Sequence, residues 1–154
     1  MAIDADKARA YAFEPIVVTV ERGRLALFAR VTGQTDPVYT EVAAARAAGH
    51  RDLPVPPTFL FGLELERPDP FGYLADLGID LRQVLHGRQA FAYHAMAYAG
   101  DTLTLRSHIA DVISRNTLQI LVRQTGVTRD GELIADMGST IVVRPLEAVN
   151  DDPA

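Results

Sequence analysis

The stretch VLHGRQAFAYHAMAYAGDTLTLRSHIADVISR, residues 84–115, decides the fold class. Its apolar residues alternate with polar or small ones at a period of two, which is typical of β-strands. Gly100 and Asp101 in its middle form a turn signal, since both residue types favour turn conformations. The stretch therefore predicts two strands, over 84–97 and 102–113, with Asp101 as a structural cap of the turn between them.

The same alternation continues towards the C-terminus. NTLQILVRQTGV (116–127) and ELIADMGSTIVVR (132–144) each suit a strand, and turn signals stand at 115–116 and 129–131. Four long strands, joined mostly by hairpins, are therefore expected. Residues 15–20 permit a fifth strand.

Helical patterns precede this sheet. Apolar spacing predicts a short helix within 19–32, and Asp36 as N-cap with Pro37 at the first helical position predicts a second helix that runs to residue 49. The apolar segment 59–67 predicts a buried helix, followed by a loop with a last short turn over 68–78. An antiparallel sheet with helices on one face is an α+β fold.

Length and charge narrow the class of protein. The 154 residues suit a single domain, whose ends, 1–12 and 147–154, are expected to be flexible. The net charge of -5 with scattered basic residues argues against nucleic acid as a partner. No signal peptide is apparent and no apolar run reaches the ~18 residues that span a membrane, so a cytoplasmic protein is expected. The lack of cysteine excludes disulfides and thiolate catalysis.

Three motifs carry a family resemblance: ARVTGQTDPVYTE (29–41), PVPPTFLFGL (54–63) and the stretch 86–115. In this order they resemble the MaoC-like dehydratases, and most closely the N-terminal-half or non-catalytic-subunit type, the FAS1-like dehydratase domain. The resemblance covers about residues 13 to 144. It implies a hot-dog fold, in which a curved antiparallel sheet wraps a central helix.

Catalytic members of that family, the (R)-specific enoyl-CoA hydratases, carry a loop G-D-x-N-P-(L/I/V)-H whose Asp and His hold a water and exchange protons. In this sequence Gln34, Asp36 and Tyr39 stand in place of the Asp, Asn and His. An amide has no useful basicity and a tyrosine has a pKa of about 10, and losing one general acid or base costs ~100- to 10,000-fold. The resemblance therefore places the catalytic loop here, with its chemistry in doubt. Asp36 as a shifted base stays an alternative to Asp36 as a helix cap.

The resemblance also implies the substrate, a 3-hydroxyacyl or 2-enoyl thioester of CoA or acyl carrier protein, in a lyase reaction of fatty acid metabolism. It implies no cofactor, because the substrate carries its own CoA or phosphopantetheine, and no residue pattern predicts a metal site. The backbone N–H of Thr58 or of Phe59, at the start of the central helix, is the candidate for contact with the thioester oxygen. The other candidates for contact with the substrate are Phe59, Phe61, His86, Phe91 and Tyr93.

Two hot-dog domains of this family pair side by side, and an isolated one leaves a strand edge exposed, so a dimer is expected. The partner is either a second copy or a catalytic MaoC-like subunit that supplies the Asp and His. Two other functions stay open. One is a thioesterase that uses Glu64 of the central helix, although Glu64 and Glu66 also suit solvent-facing positions. The other is a non-catalytic homodimer that binds acyl thioesters.

Overall fold

A computed structural model, which describes residues 2–145, contains one antiparallel sheet of five strands. Their spatial order is β1-β3-β4-β5-β2, so β1 and β2 are the two edges. The four long strands and the optional first one are thereby confirmed. The strands run over Ile16–Thr19 (β1), Val84–Tyr93 (β2), Thr102–Arg115 (β3), Leu118–Arg129 (β4) and Glu132–Val143 (β5).

The predicted turns join β3 to β4 and β4 to β5 through two-residue loops. Asn116 has a φ of 53° and Asp130 one of 50°, followed by Gly131 at 86°. Asn, Asp and Gly are the residues that tolerate these left-handed conformations best, and they suit tight hairpins. Local sequence thus sets the register of the three central strands.

The helices are short and lie mainly before β2. The segment 36–49, predicted as one helix, is instead a 3₁₀ turn at Pro37–Tyr39 and a separate α-helix, because Glu41 between them has an extended backbone with φ -125° and ψ 115°. The α-helices run over Ala5–Arg9 (α1), Arg22–Val31 (α2), Val42–Ala47 (α3), Phe59–Leu63 (α4) and Gly72–Asp76 (α5).

The N-terminal segment is more regular than the sequence indicated. The Asp4 carboxylate accepts the N–H groups of Asp6 and Lys7 at 3.0 Å, which caps α1. Ala8 of that helix is fully buried. Helix α1 therefore packs on the protein instead of fraying, although flexibility of residues 1–12 as a whole stays a prediction. The segment 147–154, also expected to be flexible, lies outside the described residues.

The sheet curves around α4, which a 3₁₀ turn at Glu64–Glu66 continues. Leu60 and Leu63 of α4 are 1% and 0% exposed, and each contributes about 1.5–3 kcal/mol by leaving water. The buried helix predicted over 59–67 is thus confirmed. Apolar residues form two clusters on the inner face of the sheet, one around α4 and one around α5. No helix among residues 2–145 has the length and apolar content to cross a membrane.

Candidate functional site

The loop after α2 holds the residues at the predicted catalytic positions. The Gln34 side-chain oxygen accepts the backbone N–H of Asp36, and the Asp36 carboxylate accepts that of Val38, both at 3.0 Å. Asp36 therefore caps the following 3₁₀ turn, in agreement with its interpretation as a helix cap. Both polar side chains are engaged by their own loop, and a role for either in proton transfer stays a prediction.

Tyr39, the third of these residues, faces an apolar cavity of about 350 Å³ at the start of α4. Pro57, Leu60 and Tyr93 also line this first cavity. His94 lies at its wall too, with Nε2 2.9 Å from an Asp136 oxygen. Both side chains of that pair are about half exposed, so this contact contributes little.

The backbone N–H of Thr58 is not free. It donates to the Tyr93 hydroxyl at 2.9 Å, which is a full hydrogen bond. Thr58 has a φ of 70°, an uncommon conformation for a β-branched residue. A thioester oxygen that approached this amide would have to displace Tyr93.

The predicted aromatic wall is divided among three places. Phe59 is only 5% exposed and packs edge-on against Phe28 of α2, with ring centroids 5.4 Å apart. It is therefore a core residue, because this face of α4 points towards α2 and away from the first cavity. Phe91 stacks on Tyr93 with ring centroids 5.8 Å apart, and of these two residues Tyr93 lines the first cavity. Phe61 instead lies on the side of α4 that faces β2.

Phe61 borders a second, smaller cavity of about 80 Å³ between α4, α5 and the sheet. Its ring centroid is 5.1 Å from that of His86, a predicted contact residue on β2. Arg123 and Ser139 complete one wall of the cavity from β4 and β5. Two of the predicted contact residues thus meet at a polar patch that the sequence analysis did not identify.

Glu64 is buried, with a side chain only 3% exposed, so its expected solvent-facing position is wrong. Arg123 pairs with one of its carboxylate oxygens, and the Thr125 hydroxyl donates to the other at 2.5 Å. The solvent-facing glutamate is Glu66, which binds Arg24 at 2.5 Å. The signal for Arg123 was present in the sequence, because the period of two in 116–127 places it on the buried face of β4.

Tyr73 of α5 also lies against this patch, with its ring 5.9 Å from the Arg123 guanidinium carbon. Burial raises the pKa of the Tyr73 hydroxyl. The hydroxyl therefore stays protonated near neutral pH and can act as a hydrogen-bond donor.

Asp101 is buried at the turn before β3 and is held by two arginines. Arg51 and Arg129 each bind one of its oxygens, the latter at 2.6 Å, and the backbone N–H of Tyr98 donates to it at 2.9 Å. Burial acts to raise the pKa of Asp101, but the hydrogen bonds from Arg129 and Arg51 lower it on balance. The structural role expected of Asp101 is confirmed. Within residues 2–145, no group of three or more acidic or histidine side chains is placed to hold a metal ion.

Comparison with known sequences and structures gives consistent matches. The sequence model of one protein family, the FAS1-like dehydratase domain region, matches residues 8–137. A UPF0336 protein from Parafrankia sp. is 39% identical over 131 residues, which are 81% of this chain and 83% of that protein.

Two solved complexes from Mycobacterium tuberculosis are also similar. The HadBC (3R-hydroxyacyl-ACP dehydratase) complex matches with a TM-score of 0.75 and 26% identity, over 85% of this chain and 93% of that one. The ChsH1-ChsH2 complex matches with a TM-score of 0.74 and 21% identity, over 93% and 95%. At 21% identity, the match to the ChsH1-ChsH2 complex shows a similarity of fold alone.

Proposed function

Since the chain belongs to the family of FAS1-like dehydratase domain regions, we propose that it is the acyl-accommodating subunit of a dehydratase or hydratase that acts on 3-hydroxyacyl and 2-enoyl thioesters. Its fold is the predicted hot-dog fold, a curved antiparallel sheet around a central helix. In this proposal the chain works in the cytoplasm, in fatty acid metabolism, on thioesters of CoA or acyl carrier protein.

The observation that carries the proposal is the state of the loop at the family's catalytic positions. Gln34 carries an amide, which has no useful basicity, and Tyr39 stands where the family's catalytic histidine stands. The one ionisable carboxylate, that of Asp36, accepts a hydrogen bond from its own loop. A chain with this loop needs a second chain to supply the proton-transfer groups.

The free edge of the sheet supports a partner. Strand β2 pairs with β5 on one side only, and Leu85 and Tyr93 along it are 52% and 50% exposed. An unpaired edge of ten residues invites pairing with another strand. HadBC and ChsH1-ChsH2 are complexes, and we propose by analogy a heterodimer with a catalytic MaoC-like subunit.

In such a heterodimer the partner's Asp and His transfer the protons while this chain holds the acyl group. The first cavity, next to Tyr39 and Tyr93, is apolar and suits that task. The second cavity, bordered by Phe61 and His86, is also mainly apolar and lies towards the other end of β2.

The test is the hydration of crotonyl-CoA, followed as loss of the enoyl absorbance. The chain is assayed alone, then with a MaoC-like chain from the same genome that carries the loop G-D-x-N-P-x-H, and that chain is also assayed alone. We expect activity in the mixture well above either separate protein. A mixture with the partner's loop Asp changed to Asn serves as the control and should be inactive. Robust activity from this chain alone, lost in Asp36→Asn, would overturn the proposal and make Asp36 the base.

The thioesterase alternative receives less support. A carboxylate that acts as a base or nucleophile must be free to reach the substrate. Both oxygens of Glu64 are instead bound by Arg123 and Thr125. Release of free CoA from acyl-CoA by the chain alone, abolished in Glu64→Gln, would restore this alternative.

A further inference from the structure

Three polar side chains form a row across the inner face of the sheet. Gln89 of β2 stands opposite Ser139 of β5, and Ser139 stands opposite Arg123 of β4. We call these three residues the polar row. The apolar cluster around α4 lies on one side of it and the cluster around α5 on the other. An inner face of this kind is normally apolar throughout, so the row needs an explanation.

The hydrogen-bonding capacity of the row is not used up within the chain. Both side-chain heteroatoms of Gln89 and the Nε of Arg123 are buried and find no partner among residues 2–145. Buried polar groups are nearly always paired, because leaving one unpaired costs its desolvation free energy. The row therefore has hydrogen-bonding groups that are free to bind a polar atom of a ligand.

A cavity reaches two of the three residues of the row. Arg123 and Ser139 line the second cavity, and its other walls are apolar or aromatic, with Phe61, Phe71 and Ile141 among them. An apolar cavity with a few polar groups at one wall is the usual form of a small-molecule site. Its apolar lining suits methylene groups, and its polar wall suits a polar atom carried by them.

The charges at the row select the kind of polar atom. Arg123 can only donate hydrogen bonds, so the ligand atom must accept them. The charge of Arg123 is already balanced by Glu64, which is just as deeply buried. A carboxylate placed here would add a second buried negative charge without a counterion, which is unfavourable. A neutral oxygen, as in a hydroxyl or carbonyl group, meets both conditions.

We propose that the polar row, at the second cavity, binds a neutral oxygen carried by the acyl chain of the substrate, so that oxygenated acyl chains are preferred to plain hydrocarbon ones. This inference rests on the proposed function, since it takes the cavity to hold an acyl group. Gln89 lies four positions before Tyr93 of the first cavity, which is about 13 Å along β2. The oxygen would therefore lie far from the thioester.

The experiment compares acyl-CoA probes that differ only at the far end of the acyl chain. Dissociation constants are measured by calorimetry for decanoyl-, dodecanoyl- and tetradecanoyl-CoA, for their ω-hydroxy derivatives and for the ω-carboxylates. The three lengths present the oxygen at three depths. We expect at least one ω-hydroxy probe to bind about tenfold more tightly than its plain counterpart, and no ω-carboxylate to show this gain.

Two variants assign the effect to the row. Ser139→Ala and Gln89→Leu each remove a neutral polar group, and in each variant the ratio of the dissociation constants for the plain and the ω-hydroxy probe should fall to about 1. Ser114→Ala, on an exposed part of β3, is the matched control and should keep the preference.

Equal binding of hydroxylated and plain probes at every length would overturn the inference, as would a preference that survives both variants or a tighter ω-carboxylate. These results would leave the proposed function standing. Failure of every acyl-CoA to bind would instead count against the proposed function itself, and the inference would fall with it.

Discussion

Replacing Glu64 by leucine tests the buried ion pair beneath α4. The side chains of Glu64 and Arg123 are only 3% and 10% exposed, so neither charge is screened by water. Glu64→Leu leaves the Arg123 guanidinium buried without a counterion. Removing one partner of a buried pair costs about 3–5 kcal/mol. This is a large part of a total stability of about 5–15 kcal/mol.

The double variant Glu64→Leu/Arg123→Met separates pairing from packing. It removes both charges and keeps apolar volume at both positions. Buried pairs replaced in this way are often as stable as the original or more so. We therefore expect the double variant to recover most of the loss, which gives a coupling free energy of about 3 kcal/mol in a double-mutant cycle.

Urea unfolding followed by circular dichroism measures these changes. With a slope of about 2 kcal/mol per molar urea, a loss of about 4 kcal/mol lowers the midpoint by about 2 M. Glu66→Leu is the matched control, because Glu66 and its partner Arg24 are 29% and 39% exposed and such pairs contribute about 0–1 kcal/mol. A midpoint shift for Glu64→Leu no larger than that for Glu66→Leu would refute the reasoning. The reasoning would also be refuted if the double variant lost as much stability as Glu64→Leu and Arg123→Met lose in sum.

Three further predictions concern other parts of the fold. The pKa of Asp101 is lower in the folded protein than in the unfolded chain, so its ionised form stabilises the fold. This stability is fully present above about pH 4 and is lost as the pH falls through the pKa of the folded state. Asp101→Asn should remove this acid-dependent loss, as measured by urea midpoints from neutral pH downwards. Asp36→Ala should lower the free energy of unfolding by about 1 kcal/mol, because the Val38 N–H loses its acceptor, whereas Asp36→Asn should lower it by only a few tenths of a kcal/mol. Equal losses for the two variants in urea unfolding would contradict the capping role. Gly87→Ala should destabilise the protein by about 1–3 kcal/mol and so lower its melting temperature, because the new Cβ would lie 2.9 Å from Val142 Cγ2. An unchanged melting temperature would contradict this close contact.

The sheet was predictable from the sequence because its signals are local. The period of two in 116–127 identifies both the strand and its buried face, on which Leu121, Arg123 and Thr125 all lie. The turns at Asn116 and Asp130 are equally local. The helices were less predictable, since α1 has only five residues and too few buried positions to show a period. The break at Glu41 depends on the backbone angles of one residue, and the sequence pattern contains no signal for it.

The candidate site was predictable only in part, for a similar reason. The loop around Asp36 is a continuous motif, so its place and its substitutions could be read directly. The partners of Glu64 lie 59 and 61 residues away along the chain, on a strand that folds under α4. The same limit applies to the bond between Thr58 and Tyr93, which are 35 residues apart. Contacts at such separations depend on how α4 packs against the sheet, which no short motif contains.

The bond between Thr58 and Tyr93 bears on the proposed division of labour between two chains. A hydratase needs a proton-transfer group and a donor that stabilises the negative charge developing on the thioester oxygen. In this chain the loop around Asp36 lacks the first in a free form, and the backbone donor at the start of α4 is already occupied by the Tyr93 hydroxyl. Restoring a histidine at Tyr39 alone would therefore leave the second requirement unmet. The two deficits are independent, since one lies in side chains of a loop and the other in a backbone amide of a helix. The chain nevertheless has an apolar cavity of about 350 Å³ between this loop and the start of α4. Both deficits together with this cavity favour a subunit that holds the acyl group while its partner carries out the chemistry.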